Sequence, residues 1–187
     1  IERPLVFGNN DTPGVMLSSA AKEYLKVYGV LAGKKPLIFT NNDSGYEAAI
    51  EFKKNGINPI ILDTRKEPNS EIINEAKSLN INIKFSYVVV AAKGYKKVKS
   101  ADVAKISDDK KDLSKIENIN CDCICVSGFW TPTIHLASQS GNKTKFNEEI
   151  DAFIPSQPKQ KETTLGSAKG TFTLEETLKT SFEKGHE

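Results

Sequence analysis

The sequence predicts an α/β fold with a central parallel sheet and an antiparallel β-meander, and three observations carry that expectation. Residues 36–85 alternate short apolar runs with helical periodicity, the pattern of a βαβαβ unit. Residues 86–107 switch to period-two alternation around Lys93 and Gly94, which reads as a meander of hairpin strands. A last apolar run, CDCICVSG at residues 121–128, reads as a buried strand that returns to the sheet.

Taken in order, residues 1–14 are rich in Pro, Gly and Asn and are expected to be mostly loop. Residues 15–29 read as a helix, with Val15, Ala20, Leu25 and Tyr28 on an apolar stripe and Gly29 as its stop. Residues 37–39 suit a strand buried on both faces. The 45–55 helix sets Tyr46, Ala49, Ile50 and Phe52 to one side and ends at Asn55 and Gly56. Residues 59–62 form the second strand, with Asp63 at its carboxyl end. In the next helix, 68–80, Pro68 lies near the first turn, Ser70 is the expected cap, and Ile72, Ile73, Ala76 and Leu79 recur at helical spacing. Residues 81–85 form the third strand, and the stretch 108–120 is polar and expected to be exposed. Beyond residue 147 the chain reads as loop with short strands, closed by a helix near 173–182.

The 187-residue chain can bury a real core, and its charge is nearly balanced at +2. That balance excludes a strong field for nucleic acid or an anionic membrane. The paired lysines (Lys34 and Lys35, Lys53 and Lys54, Lys96 and Lys97, Lys110 and Lys111) are scattered without interleaved aromatics, as on a solvated surface. Arg3 and Arg65 are the only arginines, so bidentate phosphate recognition is poorly provided for. No apolar run approaches a membrane span, and no secretory leader is seen. A chain that starts at Ile1 is consistent with an internal piece of a longer one, as it is with processing of its start. The odd cysteine count suits a reducing compartment, and a cytoplasmic location is expected.

The turn after the first strand of the βαβ unit, TNNDSG at residues 40–45, stands where a dinucleotide-binding G-x-G-x-x-G would lie. Thr40 takes the first glycine's place, Asn42 the second's and Gly45 the third's. Gly45 preserves close packing of helix on strand, whereas Asn42 can adopt a positive φ but puts a side chain where pyrophosphate would approach. Asp43 or Ser44 can cap the helix N–H groups that a phosphate would otherwise take. A phosphate oxygen about 4 Å from the Asp43 carboxylate meets roughly 4 kcal/mol of repulsion at an effective dielectric near 20. The helix macrodipole returns only about 0.3–1 kcal/mol. The turn is therefore expected to cap its own helix and to hold a dinucleotide poorly. Against this, Asp63 stands about 20 residues on, where a ribose-binding acid belongs; otherwise it is a strand-end residue, paired with Arg65 or solvated.

Cys121, Cys123 and Cys125 occupy alternate positions of one expected strand, spread over ~14 Å. Zinc needs each sulfur at about 2.3 Å, so the three are expected to be buried apolar residues rather than ligands. His135 has no partner motif and is expected to be structural, and His186 to be exposed. Ser127 and Gly128 lack the G-x-S-x-G context of a nucleophile elbow. Gly166, Ser167, Ala168, Lys169 and Gly170 precede the last helix. They are either a cofactor-binding turn whose N–H groups face a pyrophosphate or an ordinary glycine-rich turn.

The element order is similar to that of the second domain of the two-dinucleotide-binding-domain flavoproteins, the glutathione-reductase-like group, with SGFWTP at residues 127–132 as the return loop. Four stretches in order resemble the α subunits of heterotetrameric sarcosine oxidases: RPLVFGNNDTPGVMLSSAAKEYLKVYGV, TNNDSGYEAAIEF, CDCICVSGFWTPTIHLASQSG and AFIPSQPKQ. The resemblance implies an α/β, FAD/NAD(P)-binding-like three-layer fold with a central parallel sheet and antiparallel β-meander, plus part of a second, split dinucleotide-binding domain. It implies that residues 1–35 are a tail of the first dinucleotide-binding domain with a linker helix. Residues 36–128 would be the second such domain, and 129–187 a return segment to the first. The implied function is that of an oxidoreductase acting on CH–NH donors. It would demethylate sarcosine to glycine, pass the one-carbon unit to folate and form hydrogen peroxide. NAD would be held by the parent α subunit, and FAD, FMN and tetrahydrofolate by the holoenzyme. The partners would be the other subunits, mainly β. The isolated chain is expected to be a scaffold and partial NAD site that binds no cofactor and has no turnover. Two alternatives stay open: a subunit of another amine- or opine-oxidising flavoenzyme, or a non-catalytic assembly domain.

Overall fold

The structure is a computed structural model that describes residues 1–107 and 112–185. It divides into two compact units. One is Glu2–Phe129, and the other is Ile1 together with the chain from Trp130 onward. The expectations for Lys110, Lys111 and His186 fall outside the described residues.

The larger unit contains, in chain order, β1 (Val15–Leu17), α1 (Ser18–Tyr28), β2 (Pro36–Thr40), α2 (Ser44–Lys54), β3 (Ile60–Asp63), α3 (Glu71–Ser78), β4 (Asn82–Phe85), β5 (Tyr87–Lys93), β6 (Ser100–Lys105), β7 (Glu117–Asn120) and β8 (Cys123–Ser127). Five strands form a parallel sheet in the order β1-β8-β2-β3-β4, and β5-β6-β7 form an antiparallel sheet. The central strands β2 and β8 are buried at every position, as expected of a sheet covered on both faces. Alternation sorts their side chains between two cores. Ile38, Ile61, Cys123 and Cys125 pack with Ala21, Leu25, Tyr46, Phe52, Ile73 and Ala76 of the helices. Leu37, Phe39, Leu62, Ile124 and Val126 pack with Phe7, Val89, Ala92, Val98 and Val103 on the meander side. The three layers are thus helices, parallel sheet and meander.

Several boundaries differ from the sequence reading. Residues 15–17 begin no helix; they pair in parallel with β8, Val15 opposite Ile124, because the edge of β8 offers a ladder to a short apolar segment. Helix α1 starts at Ser18 and stops at Gly29 as expected, with φ 65° and its N–H on the Leu25 carbonyl. Ser70 precedes α3 in extended conformation but makes no capping bond with its side chain. Within the polar stretch, β7 is a strand that pairs with β6; only Ile119 packs inward, which hid it from a pattern search. The turn after β5 does require its glycine, since a Cβ on Gly94 would lie 1.9 Å from the Lys97 carbonyl oxygen.

The smaller unit has a short helix α4 (His135–Gln139), an antiparallel pair β9 (Thr144–Asn147) and β10 (Ala152–Pro155), a 3-10 turn at Gly166–Ala168, and α5 (Leu174–Gly185). Phe146 and Phe153 meet edge to face across β9 and β10, with ring centroids 5.3 Å apart. No helix among the described residues is long and apolar enough to cross a membrane.

Phe52 is fully buried between α2 and the sheet. Phe52→Ala is expected to lower the unfolding free energy by about 3–5 kcal/mol in a urea titration. A loss below about 1 kcal/mol would mean that the helix layer does not pack on the sheet as described.

Candidate functional site

In an open parallel sheet, ligands bind beyond the carboxyl ends of the strands, where the order of connection reverses. Here that point lies between β2 and β8. The chain proceeds from β2 outward through β3 to β4, while β8 lies on the other side of β2. The crevice is therefore bounded by the 40–45 turn and by Ser127.

This crevice is filled by a knot of polar side chains. The buried Asn42 amide nitrogen donates to the Ser127 carbonyl oxygen at 3.1 Å and to Asn41 Oδ1 at 2.9 Å. Its Oδ1 accepts the Ser44 backbone N–H at 2.9 Å and the Ser44 hydroxyl. Thr40 Oγ1 accepts the Asn42 N–H at 3.1 Å and donates to the Asn42 carbonyl at 2.8 Å. Ser44 Oγ lies 2.9 Å from Ser127 Oγ, which joins α2 to the end of β8. The α2 cap is therefore Asn42, and neither Asp43 nor Ser44 caps the helix as the sequence suggested. Asn42 can do so because it precedes the first turn by two residues, the geometry of an Asx turn. Its backbone is not among the described residues with positive φ, so the glycine-like conformation is not adopted. Gly45 does serve as the third glycine would: a Cβ there would lie 2.6 Å from Thr40 Cβ.

A second, charged group adjoins the first. Asp63 is fully buried and accepts the Tyr46 hydroxyl at 2.7 Å, the Arg65 N–H at 2.9 Å and Arg65 Nη2 at 2.8 Å. The same guanidinium reaches Asp43, Nη1 to Oδ1 2.8 Å. Burial opposes the Arg65 charge most strongly, but the bonds to Asp63 and Asp43 outweigh it and hold Arg65 above its ordinary value. Burial, and then the bond to Asp63, raise Tyr46 well above its ordinary 10.0. Pairing with Arg65 offsets the repulsion expected from Asp43, so what obstructs a diphosphate at this turn is mainly occupied space. The residues here do not fit a dinucleotide: Asn42 takes the Ser44 N–H at the start of the helix, and Asp63 is engaged by Tyr46 and Arg65.

The remaining candidates are placed as follows. In the smaller unit, Gly166 and Gly170 have φ 61° and 97°, and the N–H groups of Lys169 and Thr171 both turn back onto the Gly166 carbonyl. Ser167 and Lys169 are exposed, whereas Gly166 is buried with Thr177 Cγ2 3.0 Å from where its Cβ would be. The turn is separated from α5 by residues 171–173, and Thr173 Oγ1 donates to Glu176 Oε2 at 3.3 Å at the helix start. His135 is exposed at the first position of α4. The cysteines do not share one face. Cys121 precedes β8 and packs on the meander side, while Cys123 and Cys125 face the helices with their sulfurs 3.5 Å apart. No group of three or more metal-ligating side chains forms among the described residues. The roles of Asn42, Ser127 and Tyr46 were not legible as a set. Asn42 and Ser127 are 85 residues apart and Tyr46 and Asp63 are 17 apart, and polar residues carry no signal of such pairing.

Asn42→Ala would take its Asn42 acceptor from the Ser44 N–H, while the Ser127 carbonyl keeps the Asn41 N–H at 3.3 Å. It is expected to cost about 1–3 kcal/mol in urea, with faster hydrogen exchange of the α2 amides as the accompanying sign. Alkali is expected to destabilise the fold. Burial pushes Cys121 from 9.0 up to about 12, and Tyr46 is raised as well. Above the unfolded-state values the unfolded chain binds fewer protons than the folded one, so stability falls as pH rises from about 9 toward 12. A flat urea midpoint over that window would contradict the burial of these groups.

No family model matches the chain. It is 36% identical over 172 residues to sarcosine oxidase subunit alpha of Rhizobium meliloti (strain 1021), covering 91% of this chain and 16% of that subunit. It is 30% identical over 186 residues to the same subunit of Corynebacterium sp. (strain P-1), covering 98% of this chain and 19% of that one. Among solved structures, Lactococcus lactis thioredoxin reductase superposes with a TM-score of 0.66 at 16% identity, covering 92% of this chain and 56% of the reductase. The chain thus spans less than a fifth of the length of the curated relatives it matches. It has the FAD/NAD(P)-binding fold of the flavoprotein reductases, and along nine-tenths or more of its length it matches part of the much longer sarcosine oxidase alpha subunits.

Proposed function

We propose that the chain is a section of the α subunit of a sarcosine oxidase and that it serves there as scaffold. The observation that carries this reading is the 36% identity across 172 residues to a subunit of that name. In this reading the parent assembly oxidises sarcosine to glycine, passes the one-carbon unit to tetrahydrofolate and reduces oxygen to hydrogen peroxide, with FAD and FMN as the flavins. NAD is held by the first dinucleotide-binding domain of the same subunit. The partners are the other subunits, mainly β.

Two features support a scaffold role for the larger unit. Its switch-point crevice is occupied by Asn42, Ser44 and Ser127, and its Asp63 is committed to Tyr46 and Arg65. No catalytic step is assigned to these residues. In the smaller unit, the exposed Ser167 hydroxyl and Lys169 ammonium are the groups of the 166–170 turn that can meet a pyrophosphate of the parent's NAD. Such a contact adds binding and charge neutralisation, and it leaves redox chemistry to the cofactors.

The complete assembly is expected to turn over sarcosine with one peroxide formed per glycine. Oxidation of another secondary amine with sarcosine untouched would move the reading to a different amine- or opine-oxidising flavoenzyme. Calorimetric titration separates the cofactor roles. A form extended N-terminally through the first domain is expected to bind NAD, and the 187-residue chain is expected to give no heat of binding. Tight binding by the chain alone would show that the filled crevice opens.

A further inference from the structure

Three lysines of the smaller unit meet around one cleft. Lys143 precedes β9 and Lys145 is its second residue, so alternation sends both to one face of the β9–β10 pair. The Lys143 carbonyl accepts the Ser156 N–H at 2.9 Å and the Ser156 hydroxyl at 3.0 Å. These bonds extend the pairing one step beyond Thr144 and Pro155 and fix that end of the hairpin. The third lysine comes from the 166–170 turn, which lies against the hairpin. Gly170 has φ 97°, and a Cβ there would be 2.8 Å from Ile150 Cδ1 and 3.2 Å from Ile154 Cγ2. That close approach brings Lys169 to Lys143 and Lys145, and the three line a cleft of about 700 Å³ whose apolar lining is Ile154 and Pro155. No carboxylate lines the cleft, and among the described residues none of the three ammoniums is paired with one. Glu162 lines an adjoining hollow with Lys169, but its carboxylate accepts Ser140 Oγ at 2.6 Å and the Asn142 amide. The acids of the hairpin itself, Glu148, Glu149 and Asp151, lie in its turn, at the end away from Lys143.

We propose that this cleft binds a small organic phosphate monoester, with Lys143, Lys145 and Lys169 around its phosphate. Like charges gathered on one concavity repel, and a compact anion relieves them. A carboxylate brings one charge, whereas a phosphate monoester brings about −1.5 to −2 and three strong acceptor oxygens, one for each ammonium. The cleft is larger than a bare phosphate and of the size that small molecules fill, so Ile154 and Pro155 are left to meet the organic body of the ester. The two phosphates of a dinucleotide are diesters with one charge each, so this ligand is distinct from the NAD placed in the parent's first domain. Lys169 is common to both readings, and Lys143 and Lys145 belong to the cleft alone.

The test uses the full-length subunit with its NAD bound, titrated calorimetrically at about pH 8, where a monoester is a dianion. The probes are AMP and glycerol phosphate, as an aromatic and an aliphatic ester, with inorganic phosphate and succinate beside them. At least one ester is expected to bind, and inorganic phosphate to compete with it more weakly. Lys143→Gln with Lys145→Gln is expected to weaken the ester at least about tenfold, as loss of charged hydrogen bonds does. Should the double variant fail to fold, each single substitution on its exposed side chain is expected to weaken the ester in the same direction. Lys179→Gln, on α5 and outside the cleft, is expected to bind as the unaltered subunit does. Failure of both esters to bind at concentrations on the order of millimolar would overturn the proposal, as would binding that the lysine variants leave unchanged. Inorganic phosphate or succinate bound as tightly as the better ester would overturn it too. The titration reads neither turnover nor NAD, so its failure and a failure of sarcosine oxidation are separate results.

Discussion

One buried amide governs the centre of the larger unit. The Asn42 side chain lies at the carboxyl ends of the two central strands, out of reach of water, and must find its partners within the protein. It gives its N–H groups to Ser127 and Asn41 and takes the Ser44 N–H onto its oxygen, so that β2, β8 and α2 meet in one residue. Each bond adds only about 1 kcal/mol net, but losing the amide would also take the Asn42 acceptor from the Ser44 N–H, which costs more. A glycine-rich turn leaves this space for a phosphate and lets the ligand satisfy the helix N–H groups. Here the protein satisfies them itself. Keeping Gly45 while filling the position of the second glycine retains the helix–strand packing of the nucleotide fold without its cradle.

Electrostatics at the same end of the sheet follows from burial. Asp63 has no access to water, and an uncompensated carboxylate there would cost several kcal/mol. Arg65 and Tyr46 supply the compensation, and Arg65 extends it to Asp43 at the start of α2. A residue that in isolation would repel an anion thus becomes one end of an internal charge relay, Asp43 to Arg65 to Asp63. The consequence for function is that charge, like space, is internally committed, which accords with a supporting rather than a binding role.

The sheet is covered on both sides, by helices on one and by the meander on the other, and that accounts for the unbroken burial of β2 and β8. Some of the apolar residues left outside lie together on helices. They include the outer face of α1 and, in the smaller unit, Leu174 and Leu178 of α5, a helix that buries none of its residues.

The sequence by itself determined the layers, because periodicity is a local property: the 3.6-residue pattern of α2 and α3, the continuous apolar runs of β2 and β8, and the period-two meander all appear within a few residues of themselves. It also determined the close packing at Gly45 and the stop at Gly29, since a missing side chain is visible in any reading. Tertiary structure alone decided that residues 15–17 and 117–120 are strands, because a three-residue or polar segment takes that form only when a neighbouring edge completes its hydrogen bonds. It alone separated Cys121 from Cys123 and Cys125, since β8 starts after the first of them. It alone chose Asn42 over Asp43 and Ser44 as the cap, through Ser127 on a strand 85 residues away. Hydrogen-bond partners distant in the chain carry no periodic signal, so only the assembled fold can assign them.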